Sequence, residues 1–119
     1  MKIAMIEIEK LVEFERDLKN LSKKYRTLPE DVDVLSKVLK HNPEANPNFS
    51  FRIDGLGLET CVIKVKKIAS RSFKGKGVNS GFRLVYAYFA AERRIVYIEL
   101  YHKNEKPLED RERIKRNFK

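Results

Sequence analysis

Residues 82–102 read FRLVYAYFAAERRIVYIELYH. Two runs of β-branched and aromatic residues, FRLVYAYFA and RRIVYIELYH, are separated by only a few residues around Ala91 and Glu92, which predicts an antiparallel hairpin. Residues of equal parity share a face of a strand. A connection with an odd number of residues (90–92 or 91–93) would gather Leu84, Tyr86, Tyr88, Val96, Ile98 and Leu100 on one apolar face. The opposite face would then carry Arg83, Val85, Ala87, Tyr97, Glu99, Tyr101 and Lys103. An even connection would set Arg83 among Val96, Ile98 and Leu100, and an unpaired guanidinium is costly to bury. The odd connection is therefore expected, with Arg83, Tyr101 and Lys103 together at one end of the hairpin. Glu99 lies beside them, and the plainest role for Arg83 is as its structural partner.

Outward from the hairpin, CVIKVKKIA (61–69) alternates apolar residues with lysine and reads as a strand with a wet, basic face. SRSFKGKGVNSG (70–81) is a basic, glycine-rich connection, and FSFRIDGLGLE (49–59) leaves an extended piece or a loop open. At the N-terminus, KIAMIEI (2–8) suits a first strand. Leu11, Phe14, Leu18, Leu21 and Tyr25 then recur at helical spacing. A second helix opens at TLPED, with Thr27 able to cap it, Pro29 tolerated in the first turn, and Asp31 and Asp33 favouring the positive end. Its expected buried stripe is Val32, Leu35, Val38 and Leu39, and two Asn-Pro steps stop it after His41. PLEDRERIKRNFK (107–119) predicts a short last helix with Leu108, Ile114 and Phe118 apolar. The predicted architecture is a single α+β domain over residues 1–119: a strand, a helical hairpin, a three-strand antiparallel meander and a C-terminal helix.

The length suits one domain able to bury a core without staples. No apolar run approaches the roughly 20 residues of a membrane helix, and Glu7 and Glu9 come too early for a signal peptide. A single cysteine, Cys61, excludes an internal disulfide and a Cys-based zinc cluster, and suits a reducing, cytoplasmic setting. It opens an apolar strand and reads as a small core residue. The net charge of +9 is unevenly placed. Residues 1–59 carry ten Lys/Arg against eleven Asp/Glu, whereas residues 60–119 carry sixteen against six. Between Thr60 and Ala91 stand Lys64, Lys66, Lys67, Arg71, Lys74, Lys76 and Arg83 with no acid among them. A basic solvated surface would account for one such run, but a basic half with no acid across some thirty residues points to a polyanion such as nucleic acid.

Cations with neighbouring tyrosines suit RNA, where phosphates pair with charge and unstacked bases lie on rings. The same set could cut RNA. Attack of a 2′-hydroxyl on its own phosphate needs charge stabilisation, a base for the hydroxyl and an acid for the leaving oxygen. Arginine and lysine supply the first, and a lysine among like charges gives up its proton more readily. His102 titrates near neutrality without help, yet parity puts it opposite Lys103, so a backbone irregularity would be needed to bring it in. No phosphate loop and no metal-spaced cluster stands out, and no cofactor is expected. Glu109-Asp110 and Glu13-Glu15 read as helix-surface acids.

IKVKKIASRSFKGKGVNSGFRLVYAYF (63–89), IVYIELYHKNEK (95–106) and a terminal EDRERI (109–114) together resemble the RelE/ParE superfamily of bacterial and archaeal toxins, nearest the RelE and HigB branches. The resemblance covers residues 60–116 and implies a toxin that enters the ribosomal A site, cuts mRNA and is covered by a cognate antitoxin. It implies Lys64 and Lys66 as base and charge stabiliser, and Arg83 as the group that stabilises the transition-state phosphate. Lys103 falls where RelE-like toxins carry a second arginine, and His102-Lys103 falls where related toxins keep catalytic groups. Lys67, Arg71, Lys74, Lys76 and Tyr101 would bind RNA. The C-terminal tyrosine of RelE-like enzymes has no counterpart: Glu109 sits near its place, and Tyr101 or Tyr97 would stand in. ParE-like members, which inhibit gyrase, lack the basic set, so Lys64, Lys66 and Arg83 weigh against that branch. The alternative is a RelE/ParE-fold module that binds RNA or a protein without cutting.

Overall fold

A computed structural model describes residues 5–118. In chain order the elements are β1 (Glu7–Lys10), α1 (Val12–Ser22), α2 (Leu28–His41), β2 (Ser50–Arg52), β3 (Cys61–Val65), β4 (Phe82–Phe89), β5 (Arg94–His102) and α3 (Arg111–Asn117). The α+β class and the order of the expected elements hold. Two details differ. The chain at FSFR forms a short extra strand, β2, antiparallel to β3. The first strand runs parallel to β5, so the five-stranded sheet, in order β1-β5-β4-β3-β2, is mixed. Residues 2–4 of the predicted first strand lie outside the described residues, and the described strand begins at Glu7.

Helices α1 and α2 cover one face of the sheet. Phe14, Leu28, Val32, Leu35 and Leu39 pack there on Ile63, Val65, Phe82, Leu84, Tyr86, Ile95, Tyr97 and Leu100. Phe14 meets Tyr97 with ring centroids 5.0 Å apart, and the Tyr97 hydroxyl lies 2.7 Å from that of Ser36. Val38, expected in the buried stripe, is exposed, while Leu28 is fully buried in its stead. Thr27 occupies the N-cap position of α2 but makes no side-chain bond to the helix backbone. It donates instead to the Asp31 carboxylate at 2.9 Å, which also accepts from the Ser70 hydroxyl at 2.6 Å. This ties the basic connection 70–79 to the start of α2.

The other face is sealed over only part of its length. Val62, Val85, Ala87, Val96, Ile98 and Tyr101 pack there under Ile53 and Leu56 from the glycine-punctuated segment and Ile114 from α3. Polar anchors hold this cover in place. Asp110 caps α3 by accepting from the Arg113 amide at 3.0 Å. The Arg113 guanidinium reaches Asp17 of α1 at 2.7 Å. Glu99, almost fully buried, bonds the Lys106 ammonium and accepts from the Asp110 amide at 2.8 Å. Leu108, expected to be apolar packing in the last helix, precedes it and is exposed. No helix among the described residues is long and apolar enough to cross a membrane.

The hairpin corrects the parity argument while keeping its main result. Phe89 pairs with Arg94, so the connection 90–93 is even, with Arg93 in the left-handed region at φ 50°. A β-bulge then intervenes. Val85 pairs with Glu99 and Tyr86 with Tyr97, leaving Ile98 as the extra residue. Leu84, Tyr86 and Tyr88 therefore share the helix-covered face with Ile95, Tyr97 and Leu100, and Val96 and Ile98 go to the other side. Beyond the bulge the expected register returns: Arg83 faces Tyr101 on the strand beside it, away from α1 and α2. An even turn and an inserted residue cancel, so Arg83 avoids the apolar core.

Candidate nucleic-acid interface

The uncovered part of the second face lies where β3, β4 and β5 approach residues 66, 83 and 101–103. Phe51 pairs with Lys64, and Lys64 with Val85. Arg83 pairs with Tyr101. Alternation puts Phe51, Lys64, Arg83 and Tyr101 on this face. Lys66 joins them, since its ammonium and that of Lys64 lie 5.4 Å and 5.2 Å from the Phe51 ring centroid.

Lys64 and Lys66 are two residues apart and share the Phe51 ring, but they differ in burial and pairing. Lys66 is exposed and has no ion-pair partner among the described residues. Lys64 is buried, with its ammonium 2.6 Å from Glu109 Oε1 and 3.3 Å from the Tyr101 hydroxyl. Glu109 is equally buried and also accepts from Arg111 Nε at 3.0 Å. It is therefore not the helix-surface acid that its local sequence suggested. Its burial would raise the carboxyl pKa, but the hydrogen bond from Lys64, its own backbone and the charge of Lys64 carry it below the ordinary value. Tyr101 moves the opposite way. Burial raises its pKa, and the Glu109 and Glu99 carboxylates add to the rise against the opposing pull of Lys64. The phenol therefore keeps its proton at neutral pH.

Arg83 is half-buried, and its Nη1 donates to the carbonyls of Lys66 at 3.1 Å and Phe82 at 3.2 Å. No carboxylate lies within ion-pair distance of it among the described residues, because Glu99 is engaged by Lys106 and the Asp110 amide. Lys103 is exposed at the same end, its amide bonded to the Gly81 carbonyl at 2.9 Å just past the last strand pair. The structure thus brings Lys64, Lys66, Arg83 and Tyr101 to one face, with Lys103 at its rim.

The remaining sequence candidates do not join this set. Lys67 donates to Asn79 at 2.9 Å. Arg71, Lys74 and Lys76 are exposed on the connection docked beside α2, where Arg71 pairs with Glu30 at 3.0 Å. His102 is buried on the helix-covered face, stacked against Phe73 and Tyr25 and edge-on to Phe82. Its Nδ1 accepts from the Asn104 amide at 3.2 Å, so the proton sits on Nε2, 2.9 Å from the Ser80 carbonyl. Both ring nitrogens are engaged in structure. Of the two tyrosines that could stand in for a C-terminal one, Tyr97 is bonded to Ser36 under the helices, and burial pushes its pKa up to about 12. Tyr101 alone is at the site. Two residues of this face escaped sequence reasoning: Glu109, whose partner is 45 positions away, and Phe51, whose strand is three residues long.

Among the described residues no group of three or more His, Cys, Asp or Glu side chains is arranged to hold a metal ion. No family model and no curated protein matches the sequence. Solved structures do match. An archaeal RelE in complex with RelB, from Pyrococcus horikoshii OT3, superposes with a TM-score of 0.52 at 16% identity, over 84% of this chain and 97% of that one. A metal-bound toxin from Helicobacter pylori superposes with a TM-score of 0.55 at 20% identity, over 86% of this chain and 99% of the other. Together with the strand order and the helical hairpin, these likenesses establish that the chain has the fold of the RelE toxins.

Proposed function

We propose that the protein is the toxin of a toxin–antitoxin pair and a metal-independent endoribonuclease that acts on mRNA at the ribosome, held in check by a cognate antitoxin protein. The observation that carries this reading is the acid-free cationic set on the open face: Arg83, Lys66 and Lys103 have no carboxylate partner among the described residues. On the same face Lys64 is neutralised by Glu109, and away from it Arg71, Arg94, Arg113 and Arg116 have carboxylate partners. Cations kept free of acids at one end of a sheet suit a ligand that brings its own negative charge. On this reading the Arg83 guanidinium grips the scissile phosphate and stabilises the charge that develops on it. Lys66, in the fraction that is unprotonated, takes the 2′-hydroxyl proton as O2′ bonds to phosphorus, and the ammonium so formed hands that proton to the leaving oxygen. The bond to O5′ breaks, and a 2′,3′-cyclic phosphate remains.

The test is primer extension on a translated reporter mRNA after induction in cells. Wild type is expected to produce A-site cuts, and Arg83→Ala, in which the guanidinium removed makes no ion pair, to reduce cutting by about 10²–10³-fold. Intact mRNA in growth-arrested cells would overturn the enzyme reading. The Lys64–Glu109 pair favours a second reading, a RelE-fold toxin that binds RNA or a protein target without cutting, because the lysine expected as base is already paired and buried.

A further inference from the structure

We infer that Phe51 is a nucleobase-stacking platform, placed beside the phosphate site so that an RNA strand lays one base on the ring while its backbone runs to Lys66 and Arg83. This rests on the RNA reading above and deepens it by naming how a base, and not only a phosphate, is held.

RNA recognition needs a ring that bases can reach. Tyr101, the ring nominated by the sequence, is 5% exposed, and Tyr86 and Tyr97 are fully buried. Of the phenylalanines and tyrosines among the described residues, Phe51 is the most exposed, at 40%. It stands on the edge strand β2, on the same face as Lys64 and Lys66. Beside it a hollow of about 350 Å³ is lined by Asn48, Phe49, Lys66 and Lys67. An exposed phenylalanine on a sheet edge is otherwise a liability, and its position beside the unpaired Lys66 gives it a use.

The two ammonium groups over the ring divide the work. Lys64 is fixed by Glu109 and Tyr101, so the cation it presents to the ring stays in place. Lys66 has no such tether and can leave the ring for a phosphate when a base arrives. The competing role for Phe51 is packing: the ring shields the Lys64 ammonium through a cation–π contact and touches no ligand.

The test is binding of a labelled oligoadenylate of about 10 nucleotides, compared with an abasic ribose-phosphate strand of equal length, with the melting temperature of each variant measured alongside. Phe51→Ala is expected to weaken oligoadenylate binding by about 5- to 100-fold and to leave abasic binding and the salt slope unchanged. Phe51→Tyr should restore it. The chain contains no tryptophan, so Phe51→Trp introduces a sole fluorophore that oligoadenylate should quench and the abasic strand should not. If wild type binds RNA and Arg83→Ala weakens it while Phe51→Ala changes neither affinity, the stacking inference is overturned and the RNA reading stands. Equal loss toward both strands with a lowered melting temperature also overturns stacking, in favour of packing. If wild type binds neither strand, both readings fall together.

Discussion

The two faces of the sheet are made from the same strands, yet they keep their polar groups in different ways. Under α1 and α2 the buried polar groups are neutral but for one: the Tyr97 and Ser36 hydroxyls bond one another, Tyr86 donates to the Pro43 carbonyl at 2.5 Å, and the Asp31 carboxylate is held by the Thr27 and Ser70 hydroxyls rather than by a cation. Under α3 they are full charges, with Lys64 on Glu109 and Glu99 on Lys106. A neutral pair that loses one member leaves a modest debt in hydrogen bonding, whereas a buried ion left alone has no cheap alternative. The helix-covered face therefore holds the fold by packing. The α3 face holds it by completed charge pairs, and the proposed RNA site begins where those pairs stop.

That contrast breaks most sharply at Glu109. Glu109→Leu leaves the Lys64 ammonium buried without its partner and should destabilise the fold by about 3–5 kcal/mol, measured by denaturant unfolding. Adding Lys64→Met should recover most of the loss, because two apolar side chains replace a pair whose desolvation was costly. If the single variant is as stable as wild type, the pair is not buried as described. The helix-covered face answers to shape. Gly81 has φ +95°, and a Cβ there would sit 2.6 Å from His102 Nε2. Gly81→Ala should destabilise by about 1–3 kcal/mol from backbone strain alone, with added loss from the displaced ring. A melting temperature equal to wild type would show that the His102 ring can move aside.

The smallest expected effect is a pH dependence. The Glu109 carboxyl has a folded pKa below its ordinary 4.5, so the protein must bind a proton less readily there than the unfolded chain does. The stabilisation is fully present above that ordinary value and is lost as pH falls through the lower folded one. Unfolding titrations from about pH 6 downward, through the carboxylate range, should show a steeper loss in wild type than in Lys64→Met/Glu109→Leu, where carboxylates such as Glu13 alone respond. Identical profiles for the two proteins would place the acid sensitivity elsewhere.

Much of the fold was legible because its periodicities are strong. The helical spacing from Leu11 to Leu21 and the Asn-Pro steps after His41 mark the hairpin of helices, and Phe82–His102 marks the hairpin of strands. The turn parity was not legible, for a physical reason. In RIVYIEL every position from Ile95 to Ile98 is apolar, because β5 is buried on both faces. Alternation then carries no phase, and a bulge leaves no trace in composition. Arg83 was placed correctly only because a guanidinium is costly to bury on either assumption. Glu109 was misread because its neighbours look like a helix surface, while its partner belongs to a distant strand. Tyr101 shows the same limit from the other side: a tyrosine beside cations reads as a platform until burial removes its face from reach. At the site, then, the sequence disclosed the cations and not which of them were already taken.

The bulge at Ile98 has a consequence for how this hairpin can change. It works as a vernier between two halves of one ribbon: the tip is set by an even connection, and the mouth keeps the phase of an odd one. A residue lost at the tip together with the bulge would leave the mouth unturned, with Arg83 still opposite Tyr101. The pairs beyond the bulge fix the mouth by themselves, so a residue gained or lost within 90–93 leaves Arg83 opposite Tyr101.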